Sequence, residues 1–429
     1  MDYTAALRFL DRHINLEATA GRIHGLSLEA MEGLMQCMGD PQQDFRSIQV
    51  TGTNGKGSVS AITASLLQAA GLRVGVYSSP HVDTIRERLR IDGEMISEEG
   101  FGELVGQVEL FAQSAPVPPS YFELLTAAAF LWFANEAVDV AIVEVGLLGR
   151  FDATNVLNGE VAVITNIGRD HTDGQEGWRR AIAEEKAGII EAQRPLVLGE
   201  TSVDVLDLFV AENPEPLLTQ GESFGVTATS PAVGGQAVDL WTKEGTHNEI
   251  FLGLFGDHQA ENAALALATA ESFLGSALEG EVVREGLASF ALPGRLEVAA
   301  ALPLVILDGA HNPPAMRALV ASVPEVFGGV RRTVVLGVLG PREPAEVVAE
   351  LAALQPELVI CCTAPSERAI DAEALARLVS AQGIDVEVVV DGHEAVRRAL
   401  VLSDEDDLVL VTGSFYVLSA ARQVLTEAE

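Results

Sequence analysis

The sequence predicts an α/β protein in two parts: a larger unit with a central, mostly parallel sheet and a phosphate-binding loop, then a smaller doubly wound, Rossmann-like unit. Three observations carry that prediction. Short apolar, β-branched runs alternate with amphipathic stretches, the rhythm of a parallel sheet covered by helices. The rhythm gives way to Gly, Thr and Ser after about residue 220 and resumes after Arg295. The 429 residues exceed what one hydrophobic core usually holds, so two domains are expected, 1–295 and 296–429.

In chain order, MDYTAALRFLDRHINLE spaces apolar and charged residues as a helix does and lacks the uninterrupted apolar core of a secretion signal. SIQVTG, RVGVYSSP, VDVAIVEVG, VAVITNIG and PLVLGE read as strands, and SVSAITASLLQAAG as the helix after the first of them. Between Gly221 and Asp257, ESFGVTAT, AVDLWTK and EIFLGLFG alternate as antiparallel strands do. A helix over about 259–274 follows. Beyond Leu292-Pro293-Gly294-Arg295, the runs PLVILDGA, RTVVLGVLG, ELVICCTAP, VEVVVDG and DDLVLVTGS supply a second doubly wound sheet.

Composition narrows the function. Hydrophobic residues make up 48% of the chain, and 27 basic against 62 acidic residues give a net charge of −35. That sign argues against nucleic acid or an anionic membrane as partner, so an anionic ligand needs a local site. No apolar run reaches the roughly 18 residues of a membrane span. Cys37, Cys361 and Cys362 lack metal-type spacing and fit a reducing compartment, with the adjacent pair read as small buried strand residues. A cytoplasmic protein is expected.

The strand SIQV runs into Thr51-Gly52-Thr53-Asn54-Gly55-Lys56-Gly57-Ser58 and then a helix, the order that a phosphate-binding loop requires. Its glycines let backbone N–H groups converge on phosphate oxygens, Lys56 balances their charge, and the Ser58 hydroxyl suits Mg²⁺. The common G-x-x-x-x-G-K-[ST] spacing is not met, because Gly57 separates lysine from serine. Lysine occurs only at positions 56, 186 and 243, against 24 arginines. A lysine that persists against such a bias suits what guanidinium cannot do: a compact point charge at Lys56, an amine able to form a carbamate with CO₂ at Lys186.

Glu144 ends an apolar strand at the edge that the phosphate loop shares, where Mg²⁺ would sit. The next strand brings Asp170 and His171 to that edge, as metal-site residues or as a structural hydrogen-bonded pair. His81, in Ser78-Ser79-Pro80-His81, either shapes a substrate loop or fixes a turn. Asp257-His258-Gln259 with Asn262, Pro293-Gly294-Arg295, and Asp308-Gly309-Ala310-His311-Asn312-Pro313 each have bland readings as cap, linker and turn. Beside a phosphate loop they become ATP contacts, with Arg295 reaching phosphate and Asp308 ribose or metal.

In this order, the motifs resemble the Mur ligase superfamily, and more closely its folate branch. The stretches that carry the resemblance are TGTNGKGS, VGVYSSPH with RERLRIDG, YFELLTAAAF, VEVGLLGRFDATN, ITNIGRDHTD, EEKAGII, GDHQAEN, LPGRLE, DGAHNPPA and TGSFY. The resemblance implies a Mur-ligase-like fold and ATP-dependent amide formation, in which L-glutamate joins dihydropteroate or a reduced folate through an acyl phosphate. It implies that Gly52 to Ser58, Asn262, Arg295 and Asp308 bind ATP, with Lys56, Lys186, Asp308 and His311 taking part in catalysis. Ser58, Ser79, Glu144, His171 and a carbamylated Lys186 would hold two Mg²⁺ ions. Gly25, Leu26, Tyr121, Phe122, Glu123, Asp152 and Ala153 would line a pteroate pocket, and Ser414 and Tyr416 would approach substrates from the second domain. A monomer is expected.

The chain departs from the family pattern at three places. Leu148 stands where the family has glycine in G-L-G-G-R, Pro341-Arg342-Glu343 replaces D-K-D, and Gln49 replaces histidine. A ligase acting on peptidoglycan precursors and a nucleotide-gated binding protein remain the competing readings.

Overall fold

The computed structural model describes residues 1–15, 27–169, 176–288, 292–328, 331–340 and 344–428. Eight strands form the large sheet, in the spatial order Glu94–Met95, Leu89–Ile91, Val74–Tyr77, Val140–Glu144, Arg46–Thr51, Val161–Ile164, Leu196–Leu198 and Leu217–Thr219. The six from Val74–Tyr77 onward run parallel, and the first two pair antiparallel at one edge. Val140–Glu144 is buried along its whole length, as expected of a parallel strand with helices on both faces. The helix Lys56–Ala69 packs with Asp257–Leu274 and Gly280–Ala288 on one face of this sheet. The helices Glu98–Ala112 and Tyr121–Asn135 share a separate cluster with the N-terminal helix Tyr3–Leu10.

The Gly-, Thr- and Ser-rich stretch forms a three-stranded antiparallel sheet, Phe224–Ala232, Gly235–Thr242 and Thr246–Leu252. The helix after it begins at Asp257, two residues before the expected start. A third sheet has the order Glu297–Ala301, Leu304–Leu307, Leu408–Thr412, Arg332–Leu336, Leu358–Cys361 and Val386–Val388, parallel except for its first strand. Periodicity missed that first strand and the short edge strands Leu89–Ile91, Glu94–Met95 and Leu217–Thr219, which are too brief or too polar to announce themselves. Cys361, which ends its strand, and Cys362, which follows it, are buried, and burial pushes both thiols up to about 12, so both are inert.

The two large sheets approach each other around one cleft. Arg422, in the C-terminal helix, donates to Asp83 at 2.7 Å, while Val82 packs into an apolar cluster of the C-terminal sheet. Among the described residues no helix is long and apolar enough to cross a membrane.

Candidate active site

Arg46–Thr51 lies at the centre of its sheet, so its C-terminal end opens at a strand-order switch, where α/β proteins bind ligands. Here the phosphate loop turns into the helix Lys56–Ala69, with Gly55 in the left-handed conformation as its cap. Lys56 Nζ donates to Gly52 O at 3.2 Å and to Thr53 O at 3.5 Å, and stands 3.9 Å from Glu144 Oε1. Glu144 is 4% exposed; burial pushes its carboxyl up, against Lys56, the Ser79 N–H, Arg295 and Arg88. Ser79 N donates to its Oε2 at 3.4 Å. A Cβ at Gly57 would stand 3.6 Å from that same oxygen, and one at Gly55 would stand 2.6 Å from Asn262 Oδ1. Glu144, Ser79 and Asn262 therefore border the loop.

The Ser58 hydroxyl is buried beside this group and has no hydrogen-bond partner among the described residues. An orphaned buried hydroxyl near a desolvated carboxylate is an oxygen donor set suited to one divalent cation that also binds nucleotide phosphates. Among the described residues, no three His, Cys, Asp or Glu side chains cluster as a self-sufficient metal cage. His171 lies outside the described residues, as do Asp170, Gly25, Leu26 and Pro341-Arg342-Glu343.

Lys186 projects from the helix Trp178–Ala187 to the back of the loop rather than into the main cleft. The residue is 5% exposed, and its amine donates to Gly52 O at 2.8 Å and to Thr51 Oγ1 at 3.4 Å, beside a cavity of about 30 Å³ that Lys56 also borders. Leu148 borders the same cavity with φ +60°, a left-handed backbone in a residue whose Cβ disfavours it. The leucine at the family's glycine position thus carries strain, while its carbonyl accepts from Thr51 Oγ1 at 2.7 Å.

The main cleft has a volume of about 660 Å³ and continues from the loop to an aromatic wall of Tyr121, Phe122 and Phe151, with Ala153 beside it. Phe122 packs against Tyr77, ring centroids 5.9 Å apart, and lies across Gly146 so closely that a Cβ there would come 2.3 Å from the ring. Glu123 and Asp152 face the cleft with carboxylates already engaged. Glu123 accepts from Ser120 N at 2.6 Å, and Ser120 Oγ accepts from Glu123 N, a reciprocal capping box that Ser120-x-x-Glu123 spelled in the sequence. Asp152 caps its own turn, accepting from Leu147 N and from Thr154 N and Oγ1. Gln49 donates to Thr154 Oγ1 at 3.1 Å, so the glutamine that departs from the family pattern braces this turn.

Across the cleft stand Arg295, Asp308, His311, Ser414 and Tyr416. Asp308 accepts from Leu296 N at 2.9 Å and Ala310 N at 2.8 Å; burial raises its carboxyl, against the Arg295 charge. The Arg295 guanidinium lies 4.6 Å from the Phe415 ring centroid. His311 Nδ1 lies 2.7 Å from Gly309 O, a carbonyl that can only accept, so Nδ1 carries a proton and Nε2 is the acceptor of the neutral ring. Ser414 Oγ accepts from Tyr416 N at 3.3 Å.

Two site residues escaped the sequence reading. Asn166 grips the phosphate loop: its carbonyl accepts from Thr53 N, its Oδ1 from Asn54 N, and its Nδ2 donates to Asn54 O, each at 3.0 Å. Arg88, 4% exposed, donates to His81 Nδ1 at 3.0 Å and sends its charge toward Glu144. Their signal was position, just after a strand at the loop's edge or within RERLRIDG, and neither forms a motif alone.

His258 also lines the cleft. Burial, then the Arg295 charge, push its imidazole from 6.5 to about 4. With the folded value lowered, the unfolded chain takes up the proton first, so stability falls as pH drops from about 6.5 towards 4. Thermal melts across that range should show a shallower fall for His258→Gln than for the natural chain.

Residues 50–270 match the family model of the Mur ligase middle domain, and 294–415 that of the Mur ligase glutamate ligase domain. A Mycobacterium tuberculosis dihydrofolate synthase/folylpolyglutamate synthase is 39% identical over 82% of this chain and 77% of its own. The chain belongs to the dihydrofolate synthase/folylpolyglutamate synthase family of Mur ligases. Members of this family are ATP-dependent ligases. The M. tuberculosis folylpolyglutamate synthase complexed with ADP and AMPPCP superposes with a TM-score of 0.90 at 35% identity, covering 99% of both chains. An E. coli structure in complex with DHPP and ADP gives a TM-score of 0.89 at 29% identity, over 100% of this chain and 98% of that one. A bifunctional folylpolyglutamate synthase/dihydrofolate synthase with Mn, AMPPNP and L-glutamate bound gives 0.87 at 31% identity, over 99% and 98%. Two archaeal relatives, from Halobacterium salinarum and Haloferax volcanii, carry a dihydropteroate synthase in their names as well, and this chain spans about half their length.

Proposed function

We propose that this ligase uses ATP to join L-glutamate to dihydropteroate and to reduced folates through an acyl phosphate. The observation that carries the reading is one cleft of about 660 Å³ with Lys56, Ser58 and Glu144 at one end and the Tyr121–Phe122 wall at the other. A pterin ring stacks on an aromatic face, and its carboxylate end then points along the cleft toward the phosphate loop. The ligands bound by the E. coli neighbour, DHPP and ADP, suit the two ends.

In the first step a substrate carboxylate oxygen bonds to the γ-phosphorus and the bond to ADP breaks with its electron pair. In the second, the glutamate amine bonds to the acyl carbon, inorganic phosphate leaves and the amine loses a proton. Both transition states gather negative charge, which preorganised cations and N–H dipoles stabilise. Backbone amides of Gly52 to Ser58 and the Lys56 ammonium hold the phosphates, Asn262 and Asp308 the nucleoside, and Arg295 approaches from the facing side. His311 Nε2 takes the amine proton, while Ser414 and Tyr416 orient glutamate. Mg²⁺ held by Ser58, Ser79 and Glu144 would supply charge to the phosphate oxygens; a second ion would take His171, which lies outside the described residues, and Lys186 as its carbamate. Closure of 296–429 on 1–295 excludes water from the acyl phosphate. The enzyme works as a monomer, and its cysteine usage fits the cytoplasm.

The test is phosphate release with ATP, Mg²⁺ and L-glutamate, in the presence of dihydropteroate, tetrahydrofolate or neither, with mass analysis of products. One added glutamyl unit on each acceptor is expected. Glutamylation of neither, beside acceptor-independent ATP hydrolysis, would favour a nucleotide-gated binder, and turnover only on nucleotide-sugar peptides a cell-wall ligase. For Lys186, removing bicarbonate and CO₂ should lower activity in the natural chain, and Lys186→Ala should abolish that dependence; full activity in Lys186→Ala would remove the carbamate from the mechanism.

A further inference from the structure

The phosphate loop touches the C-terminal unit through a pair of side-chain amides. Asn54 Nδ2 donates to Asn312 Oδ1 at 3.2 Å, and Asn312 Nδ2 donates back to Asn54 Oδ1 at 2.9 Å. The orientation of this pair is dictated from one side. Asn312 Oδ1 also accepts from Ala315 N at 3.0 Å, as the cap of the helix Pro313–Phe327, so its Nδ2 must face Asn54. Asn54 Oδ1 is then the acceptor and its Nδ2 the donor. Asn312 is 1% exposed, so an unmatched amide there would be costly.

The main chain of Asn54 is held equally firmly from below. Its N–H donates to Asn166 Oδ1, and its carbonyl accepts from Asn166 Nδ2 at 3.0 Å and from Thr165 Oγ1 at 2.6 Å. Three asparagines therefore form one continuous path: from the strand end after Val161–Ile164, through the phosphate loop, to the first turn of a C-terminal helix. That turn directly follows Asp308 and His311 in the chain.

We infer that Asn312 is a positioning residue for ligation: through Asn54 it registers the C-terminal unit on the phosphate loop, so that His311 faces the γ-phosphate end of the cleft and Asp308 the nucleoside. The inference rests on the ligase reading above. A helix cap alone would need Asn312 Oδ1 only; the donated Nδ2 hydrogen bond to Asn54 serves the contact between units.

Asn312→Ser separates the two roles, because serine caps a helix about as well as asparagine and cannot reach Asn54. Its melting temperature should stay within about 2 °C of the natural chain. Hydrogen–deuterium exchange should quicken in 52–56 as well as in 312–320, by about tenfold in the loop. The kcat for glutamate addition should fall about tenfold, with KM for ATP within about twofold. Asn54→Ala combined with Asn312→Ser should be no slower than Asn54→Ala alone, since both break one contact. Asn312→Asp keeps the cap and an acceptor for Asn54 Nδ2, and should fall between the natural chain and the serine variant. Exchange confined to 312–320, unchanged kcat, or rate losses that multiply in the double variant would overturn the inference. Exchange in the loop is read without turnover, so it decides this point even if dihydropteroate and folates prove not to be substrates.

Discussion

Glu144→Gln should lower ligation by on the order of 10³-fold while leaving the fold intact. Glu144 is 4% exposed and its carboxylate stands 3.9 Å from Lys56, beside a Ser58 hydroxyl that has no partner among the described residues. Glutamine keeps the shape and can still accept from Ser79 N, but brings no charge to a divalent cation. In the ligand-free protein the desolvated charge is a liability, since burial already pushes this carboxyl up. The melting temperature of Glu144→Gln without ligands should therefore equal or exceed that of the natural chain. Mg²⁺ with a non-hydrolysable ATP analogue should raise the melting temperature of the natural chain and much less that of the variant. Retained ligation, or an equal ligand shift in both proteins, would remove Glu144 from the metal site.

Gly52→Ala is expected to damage both stability and activity. At Gly52, φ is +146°, and an added Cβ would fall 1.8 Å from Thr165 Oγ1 and 3.0 Å from Thr165 Cβ. Thr165 cannot simply swing aside, because that hydroxyl donates to Asn54 O at 2.6 Å. The loop must move instead, and the Gly52 carbonyl that gathers Lys56 and Lys186 moves with it. A loss of about 2–4 kcal/mol in chemical denaturation, with ligation reduced at least about 10²-fold, follows from the clash and the disfavoured backbone. Gly159→Ala is the control: its Cβ would meet Gln49 Cβ at 3.8 Å, an ordinary contact, and should change stability by less than about 0.5 kcal/mol. Equal behaviour of the two variants would show that the loop tolerates displacement.

Much of this was legible in the sequence. The phosphate loop announced itself because the chemistry needs glycines, lysine and a hydroxyl within eight consecutive positions, and local constraints leave local signatures. The parallel strands of both large sheets, the short edge strand Leu217–Thr219 apart, were legible because parallel strands bury both faces and read as apolar runs. The order of motifs placed the chain among folate-branch ligases before any coordinate was known, and the relatives agree.

Other features were decided by the tertiary structure. Glu123 and Asp152 proved to be committed to caps; a sequence shows a carboxylate but not which N–H groups it has already taken. Lys186 points at the back of the loop, because the helix Trp178–Ala187 packs there and its amine meets Gly52 O. Leu148 sits at φ +60° where a glycine was expected, a strain that only the closed strand-end turn reveals. Asn166, Arg88 and the Asn54–Asn312 pair emerged for the same reason. The pair is separated by 258 residues, and Asn54 and Asn166 by 112. Such partnerships depend on which strands lie side by side and how the two sheets face one another. Sequence pattern placed the apolar parallel strands and the phosphate loop, because periodicity and loop chemistry act over a few residues. Strand order and the docking of two sheets act across the whole chain, so only the folded structure decided which polar groups meet.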